Sequence, residues 1–253
     1  QILRSRELGF RNGHVPVTGI ISAIAVLAAT VGGHDSVVMS NEWSASVGTV
    51  ELDGRSINHQ YSKSLAFENG FRGLIDEAIG PELEYFSLLR PFTELWIAQR
   101  FSGLPQYFST FRSCNRAFHI DRSKRWQVWC GVCDKCAFID LILAPFVPAA
   151  TLREIFAAGG PEPLDNPSMA TSLETLLGLI PDAKPWECVG DVGECQVAIQ
   201  LAAQRPDRAD AALVQELAGR VGGGTPKAHG AAQDLFRPVG RHHIPAWYLP
   251  DEL

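Results

Sequence analysis

Four cysteines constrain this chain more than any other feature. Cys114, Cys130, Cys133 and Cys136 follow the spacing C-x15-C-x2-C-x2-C. Two residues between cysteines let a tight turn aim both sulfurs at one point, and Gly131 is available for the positive φ that such a turn takes. The spacing therefore predicts a tetrahedral zinc site. Four thiolates close the coordination sphere and leave no position for water, so the zinc is expected to be structural and the chemistry to lie elsewhere. Two alternatives are weaker. One is a set of buried thiols acting as small core residues. The other is a disulfide framework, which a chain of 253 residues in which no secretory signal is recognisable does not need.

A chain that is 46% hydrophobic and 20% charged is globular, with room for one large core or two smaller ones. Its formal net charge of -6 argues against general nucleic-acid coating. One stretch runs the other way: Arg112, Arg116, His119, Arg122, Lys124 and Arg125 are interleaved with Phe111, Phe118, Trp126 and Trp129. Such a stretch suits a phosphate backbone with stacked bases. In a chain this acidic it suits the rim of an anionic small-molecule site better.

Val15 to Val31 is almost continuously apolar, but it falls short of the roughly 20 residues of a membrane span and contains Pro16 and Gly19. It predicts a helix buried on most sides in an α/β core, with Pro16 in the first turn and Gly32-Gly33 as the C-terminal cap. No membrane association is expected. Ser36 to Ser40 reads as a short buried strand followed by the polar group Asn41-Glu42-Trp43-Ser44. In open parallel sheets that end of a strand is where ligands bind, which makes Asn41, Glu42 and Ser44 site candidates. Gly32-Gly33-His34-Asp35-Ser36 imitates the phosphate loop of ATP pyrophosphatases, but a phosphate loop follows a strand and opens a helix, whereas the order here is helix, loop, strand. It is read as a cap and turn.

The polar stretch from Asn58 to Ser64, with His59, Gln60, Tyr61 and Ser62, has more donors and acceptors than a helix cap uses, which favours ligand contact. It leads into a helix over Leu65 to Ala78, whose Leu65, Phe67, Phe71, Leu74 and Ile75 have core spacing. Tyr85 to Phe101 reads as a loop feeding an amphipathic helix near Pro91, with Arg90 close to that helix's N-terminus, where anions gather. Helices are expected over Ala137 to Ala144 and Ala149 to Ala158, and the remainder is largely helical. Lys184-Pro185-Trp186-Glu187-Cys188 crowds a cation, a carboxylate and a thiol around an aromatic, so Cys188 is either a core filler or a thiol tuned by Lys184. The expected division is an α/β domain over 1–110, the cysteine knuckle over 111–145 and a helical region over 146–253.

Several segments taken together carry a resemblance: Gly13 to Thr18, Ser40 to Ser46, Asn58 to Ser64, Ser113-Cys114-Asn115, the Cys130 to Cys136 knuckle and Lys184 to Gly190. In this order they resemble the bacterial UDP-N-acetylmuramoyl-L-alanyl-L-glutamate epimerases, along most of the chain. The resemblance implies a parallel-sheet, nucleotide-binding α/β scaffold similar to that of the PP-loop ATP pyrophosphatases. It also implies an ATP- and Mg2+-dependent inversion of the terminal L-glutamate of a UDP-linked muramyl dipeptide, in the cytoplasm. The knuckle is similar to the zinc site of 7-cyano-7-deazaguanine synthase. Because the sequence opens in what reads as mid-domain material, the true pyrophosphate loop is expected in a preceding segment.

Chemistry explains why such a reaction would need ATP. Removing the α-proton beside a free carboxylate piles a second negative charge onto an anion, and without pyridoxal phosphate there is no electron sink. An acyl-adenylate lowers that cost. Glu42, His59 and Cys188 are the candidates for base, donor or hydrolytic assistant. Arg90, Arg112 and Lys184 are candidates for neutralising phosphate or carboxylate, and Ser113 and Glu187 complete the binding set. The alternatives are an adenylating nucleobase- or tRNA-modifying enzyme, a zinc-stabilised nucleic-acid-binding module, and a structural zinc domain that docks to a partner.

Overall fold

The computed structural model describes residues 9, 16–48, 50–114, 116–119, 121–181, 189–222 and 232–249. They pack as two units, one taking the described residues between 16 and 93 together with 237–249, the other those between 94 and 236. The architecture is α/β, mostly helical, with a small parallel sheet.

In the first unit α1 (Val17–Gly32) leads into β1 (Ser36–Met39), and α2 (Leu65–Ala78) into β4 (Glu84–Ser87). Between them lies a hairpin of β2 (Val50–Leu52) and β3 (Arg55–Ile57). β1 and β4 pair in parallel, Val37 opposite Tyr85 and Val38 opposite Phe86. Gly33, at φ 66°, ends α1 in the left-handed conformation and returns its N–H to the last turn. The Gly-Gly-His-Asp-Ser segment is therefore a cap and turn, as its helix-before-strand order predicts. The Ser64 hydroxyl starts α2 by accepting from the Phe67 N–H at 3.1 Å. Val26, Ala29, Val37, Ile75, Leu83 and Tyr85 form the core between sheet and helices. The Ser22 and Tyr85 hydroxyls bond at 2.7 Å inside it.

Two expectations change here. α1 forms, but it is not buried on most sides: Ser22, Val26 and Ala29 are its buried residues, while Ile20, Ile21, Ile24, Leu27 and Val31 face outward. Continuous hydrophobicity cannot tell a helix covered all round from one covered on a single face, because periodicity vanishes in both. Tyr85 to Ser87, expected as loop, is the buried strand β4. A run of four residues is too short for alternation to show. Among the described residues no helix is long and apolar enough to cross a membrane.

The second unit is helical: α3 (Glu94–Ser102), α4 (Asp134–Leu143), α5 (Ala149–Phe156), α6 (Ala170–Leu176), α7 (Val192–Ala203) and α8 (Ala212–Gly222). α4 and α7 are its centre, contributing Phe138, Leu141, Ile142, Cys195, Ala198 and Ile199 to a core that Leu152, Leu173, Val214 and Leu217 close. Cys195 is thus a core thiol. The Glu194 carboxylate accepts the Leu95 N–H at 2.8 Å and caps the first turn of α3. The knuckle expected over 111–145 is part of this unit, and residues 237–249, expected in the helical region, pack with the first unit.

Asp140, Glu162 and Arg208 are buried together, with Arg208 paired to Glu162 and the Asp140 carboxylate accepting the Leu164 N–H at 2.9 Å. Burial, and then the nearby Glu162 charge, hold the Asp140 carboxyl well above the usual range; burial also raises Glu162 against the pull of Arg208. A carboxyl whose folded value is raised contributes stability that is complete below its unfolded value, about 4, and is lost as pH climbs through the folded value. The urea midpoint of this unit is therefore expected to fall as pH rises above about 4. Asp140→Asn is expected to flatten that slope, as urea titrations across the range would measure.

Candidate functional site

The two polar segments singled out in the sequence converge beyond the C-terminal ends of β1 and β4. Ser87 Oγ donates to the Asn41 carbonyl at 2.7 Å and so holds the residue after the strand. The Trp43 N–H reaches the Phe92 carbonyl at 2.9 Å, while Asn58 Nδ2 donates to the Ala45 carbonyl at 2.8 Å. The Leu65 N–H, at the start of α2, donates to Ser46 Oγ at 3.0 Å. A strand end, a short helical turn over Ser44–Ser46 and the Asn58 to Ser64 stretch thus form one surface at the edge where parallel sheets take ligands.

Arg90 organises this surface. The residue is 1% exposed and its guanidinium commits every donor: Nε and Nη2 to Glu68 Oε2 at 3.1 and 3.0 Å, Nη1 to the Glu42 carbonyl at 2.9 Å and Ser46 Oγ at 3.3 Å, and Nη2 also to the Lys63 carbonyl at 2.7 Å. Each N–H of Arg90 is engaged within the protein, a geometry that favours a positioning part over the direct anion contact expected from the sequence. Glu68, its buried partner, lies in the first turn of α2 and was not among the sequence candidates; only the pairing reveals its part.

Around this clamp, Glu42, Asn41 and Ser44 are half-buried, with Ser44 Oγ 3.5 Å from Glu42 Oε1. Gln60 Oε1 accepts from Lys63 Nζ at 2.9 Å, and the Gln60 N–H donates to Asn58 Oδ1 at 2.7 Å. His59 and Ser62 are half-buried in the same stretch, and Tyr61 is exposed with its ring edge-on to Phe67. Arg112 and Ser113 belong to the other unit, beside Cys114, and each has a buried polar atom, Arg112 Nε and Ser113 Oγ, with no hydrogen-bond partner. Lys184, Glu187 and Cys188 lie outside the described residues.

The four cysteines do come together. Their sulfurs all lie within 4.8 Å of one another, Cys130 and Cys136 at 3.7 Å and Cys133 and Cys136 at 3.5 Å. A tetrahedron with Zn–S bonds of about 2.3 Å has S···S edges of about 3.8 Å, so the cluster has the size zinc requires. None of the four is disulfide-bonded. Gly131, at φ 68°, makes the turn between the first two ligands of the knuckle, and Cys133 caps α4, which puts Cys136 in its first turn. Burial pushes the Cys130 thiol up to about 11, and hydrogen bonding from Cys133 followed by burial raises Cys136. Thiols in such surroundings ionise only with a cation to compensate, and a divalent metal supplies that charge. The residues fit a structural zinc.

Trp129 and Phe156 pack on the cluster, and the chain passes so close behind it that a Cβ on Gly159 would sit 1.7 Å from the Trp129 carbonyl oxygen. Gly159→Ala is therefore expected to displace the Trp129-Cys130 backbone and to cost about 3 kcal/mol. Thermal melts and metal content would both register the change. The basic stretch after Cys114 folds back on itself, the Trp126 N–H reaching the Arg116 carbonyl at 3.0 Å while the Arg116 guanidinium lies 4.9 Å from the centre of the Trp126 ring. Asp121 accepts from Ser123 and pairs with Lys124.

Sequence comparison supplies the class. Proteins named UDP-N-acetyl-alpha-D-muramoyl-L-alanyl-L-glutamate epimerase match nearly the whole chain. One from Xanthomonas oryzae pv. oryzae (strain MAFF 311018) is 40% identical over 97% of this chain and 53% of its own length. One from Micromonospora sp. (strain ATCC 39149 / NRRL 15099 / SCC 1413) is 42% identical over 95% and 52%, and one from Salinispora tropica is 39% identical over 95% and 51%. The MurL N-terminal domain matches residues 1–88 and the MurL C-terminal domain residues 110–232. The chain belongs to the MurL family. It spans about half the length of these curated relatives. No solved structure matches it.

Proposed function

We propose that this chain forms part of an ATP-dependent epimerase that converts the terminal L-glutamate of UDP-MurNAc-L-Ala-L-Glu to D-glutamate in peptidoglycan precursor synthesis. The observation that carries the reading is that relatives named for this epimerisation match 95–97% of the chain. The convergence of the Asn41 and Asn58 segments at a strand-end edge supports it. A UDP-linked precursor and ATP imply the cytoplasm, and a PP-loop-like nucleotide-binding core is the scaffold this reading favours.

The α-carboxylate of the terminal glutamate attacks the α-phosphorus of ATP, forming the acyl-adenylate and releasing pyrophosphate; Mg2+, when bound, would screen the triphosphate charge. A base then removes the α-proton from one face and a donor returns a proton to the other. Water attacks the acyl carbon, and AMP leaves with the C–O electrons. Glu42, His59 and Cys188 are the proton-transfer candidates. Asn41, Ser44, Gln60, Tyr61, Ser62, Arg112, Ser113, Lys184 and Glu187 are candidates for substrate and nucleotide contacts, and Arg90 acts through Glu42 by fixing its backbone. Zinc at Cys114, Cys130, Cys133 and Cys136 would be structural.

A product assay on the full-length polypeptide tests the reading. Formation of AMP, pyrophosphate and D-configured glutamate in equal amounts is expected. ADP as the nucleotide product would contradict it.

A further inference from the structure

Two features of the sheet unit lack a covering layer. α1 presents Val17, Ile20, Ile21, Ile24, Leu27 and Val31 as one stripe opposite its buried Ser22, Val26 and Ala29, with Val31 89% exposed. Solvent alone does not favour such a face, because apolar side chains gain free energy when they leave water. β1, meanwhile, pairs only with β4 among the described residues. The Glu84 N–H bonds the Asp35 carbonyl and the Leu88 N–H the Met39 carbonyl. Alternate residues therefore face β4, which leaves the amides of Ser36 and Val38 directed at the open edge. Val38 is 45% exposed. The face of the sheet away from α1 is covered in part, Tyr248 packing on the buried Phe86 and meeting Ser36 Oγ at 2.9 Å, so the unpaired side is the edge of β1, and parallel strands normally sit inside larger sheets.

Topology says what belongs there. α1 and α2 lie on the same face of the sheet, the Tyr85 side chain meeting Ser22 of one and Phe71 of the other. Crossovers between parallel strands are right-handed in nearly all proteins. α2 links β1 to β4. If α1 is likewise the crossover from an earlier strand, that strand must lie on the side of β1 away from β4, parallel to it. The curated relatives carry about as much chain again as this one spans, enough to supply it.

We propose that the open edge of β1 and the apolar face of α1 are the docking surface for a parallel strand, and the elements that follow its layer, contributed by the remaining half of the full-length polypeptide. The sheet then continues as that strand, β1 and β4, and the stripe on α1 becomes interior. This inference stands apart from the epimerase reading and survives its failure.

Hydrogen exchange on the full-length polypeptide tests it, with Val37 and Met39 as internal controls that face β4. The Ser36 and Val38 amides are expected to be protected as strongly as the controls, about 100-fold or more over free exchange. Rapid exchange at both would overturn the proposal. So would protection that rises with protein concentration, the mark of a second copy, or protection that appears only with anionic lipid vesicles. Ile24→Lys gives a second measurement. In the full-length polypeptide it is expected to lower the thermal midpoint by several degrees and to speed exchange at Ser36 and Val38, and a midpoint and exchange equal to those of the unsubstituted protein would overturn the proposal.

Discussion

Cys136→Ala is expected to abolish binding of one zinc equivalent and to cost the helical unit roughly 4–5 kcal/mol, the range reached when a structural metal is lost. The knuckle explains the size of the effect. Cys114, Cys130, Cys136, Trp129 and Phe156 form a buried cluster of their own, distinct from the larger core built on α4 and α7. Without the metal, buried thiols are left that cannot ionise and that do not fill the space of a packed core. The larger core has its own apolar contacts and is expected to hold. Metal analysis should thus read zero, Trp129 emission should shift toward that of exposed indole, and far-ultraviolet circular dichroism should fall only slightly. Complete loss of helix would mean that the metal holds the whole unit, against the two-cluster description.

Glu68→Leu is expected to destabilise the sheet unit by about 3–5 kcal/mol, because it leaves the Arg90 guanidinium buried and uncompensated. Arg90→Leu does comparable damage by a different route. It frees the Glu42 carbonyl, Ser46 Oγ and the Lys63 carbonyl at once, so the two segments of the candidate surface lose their common anchor. Pairing the two substitutions should recover a good part of the loss, as removal of both partners of a buried pair often does. Urea midpoints of the two single variants and the double variant give the coupling energy. An additive cycle would show that the pair does not act as a unit.

How much of this was legible in the sequence depends on the kind of signal. The cysteine spacing fixed the ligand set, because metal geometry acts through local chain turns that sequence records directly. Leu65–Ala78 was readable as a helix from its periodic apolar residues and its Ser64 cap, and the polar ends after Ser40 and before Leu65 were readable as candidates from their density. Arg90 was not. A guanidinium near a proline looks the same whether it meets a ligand or a buried glutamate 22 positions away, and only tertiary packing separates the two. The same holds for Asp140, Glu162 and Arg208, whose burial has no local mark. The β2–β3 hairpin did carry a sign that the sequence reading passed over, Asp53-Gly54, which takes φ 49° and 71° between the short strands. The exposure of α1 could not be read from its composition, because a uniformly apolar helix carries no information about which side is covered.

The central claim is that nucleotide activation of the carboxylate loosens the α C–H bond, and solvent exchange tests it most directly. Full-length polypeptide and UDP-MurNAc-L-Ala-L-Glu in D2O are expected to place deuterium at the α-carbon of the terminal glutamate only when ATP and Mg2+ are present, with AMP accumulating alongside. Deuterium entering at the same rate after all nucleotide has been removed would contradict the account.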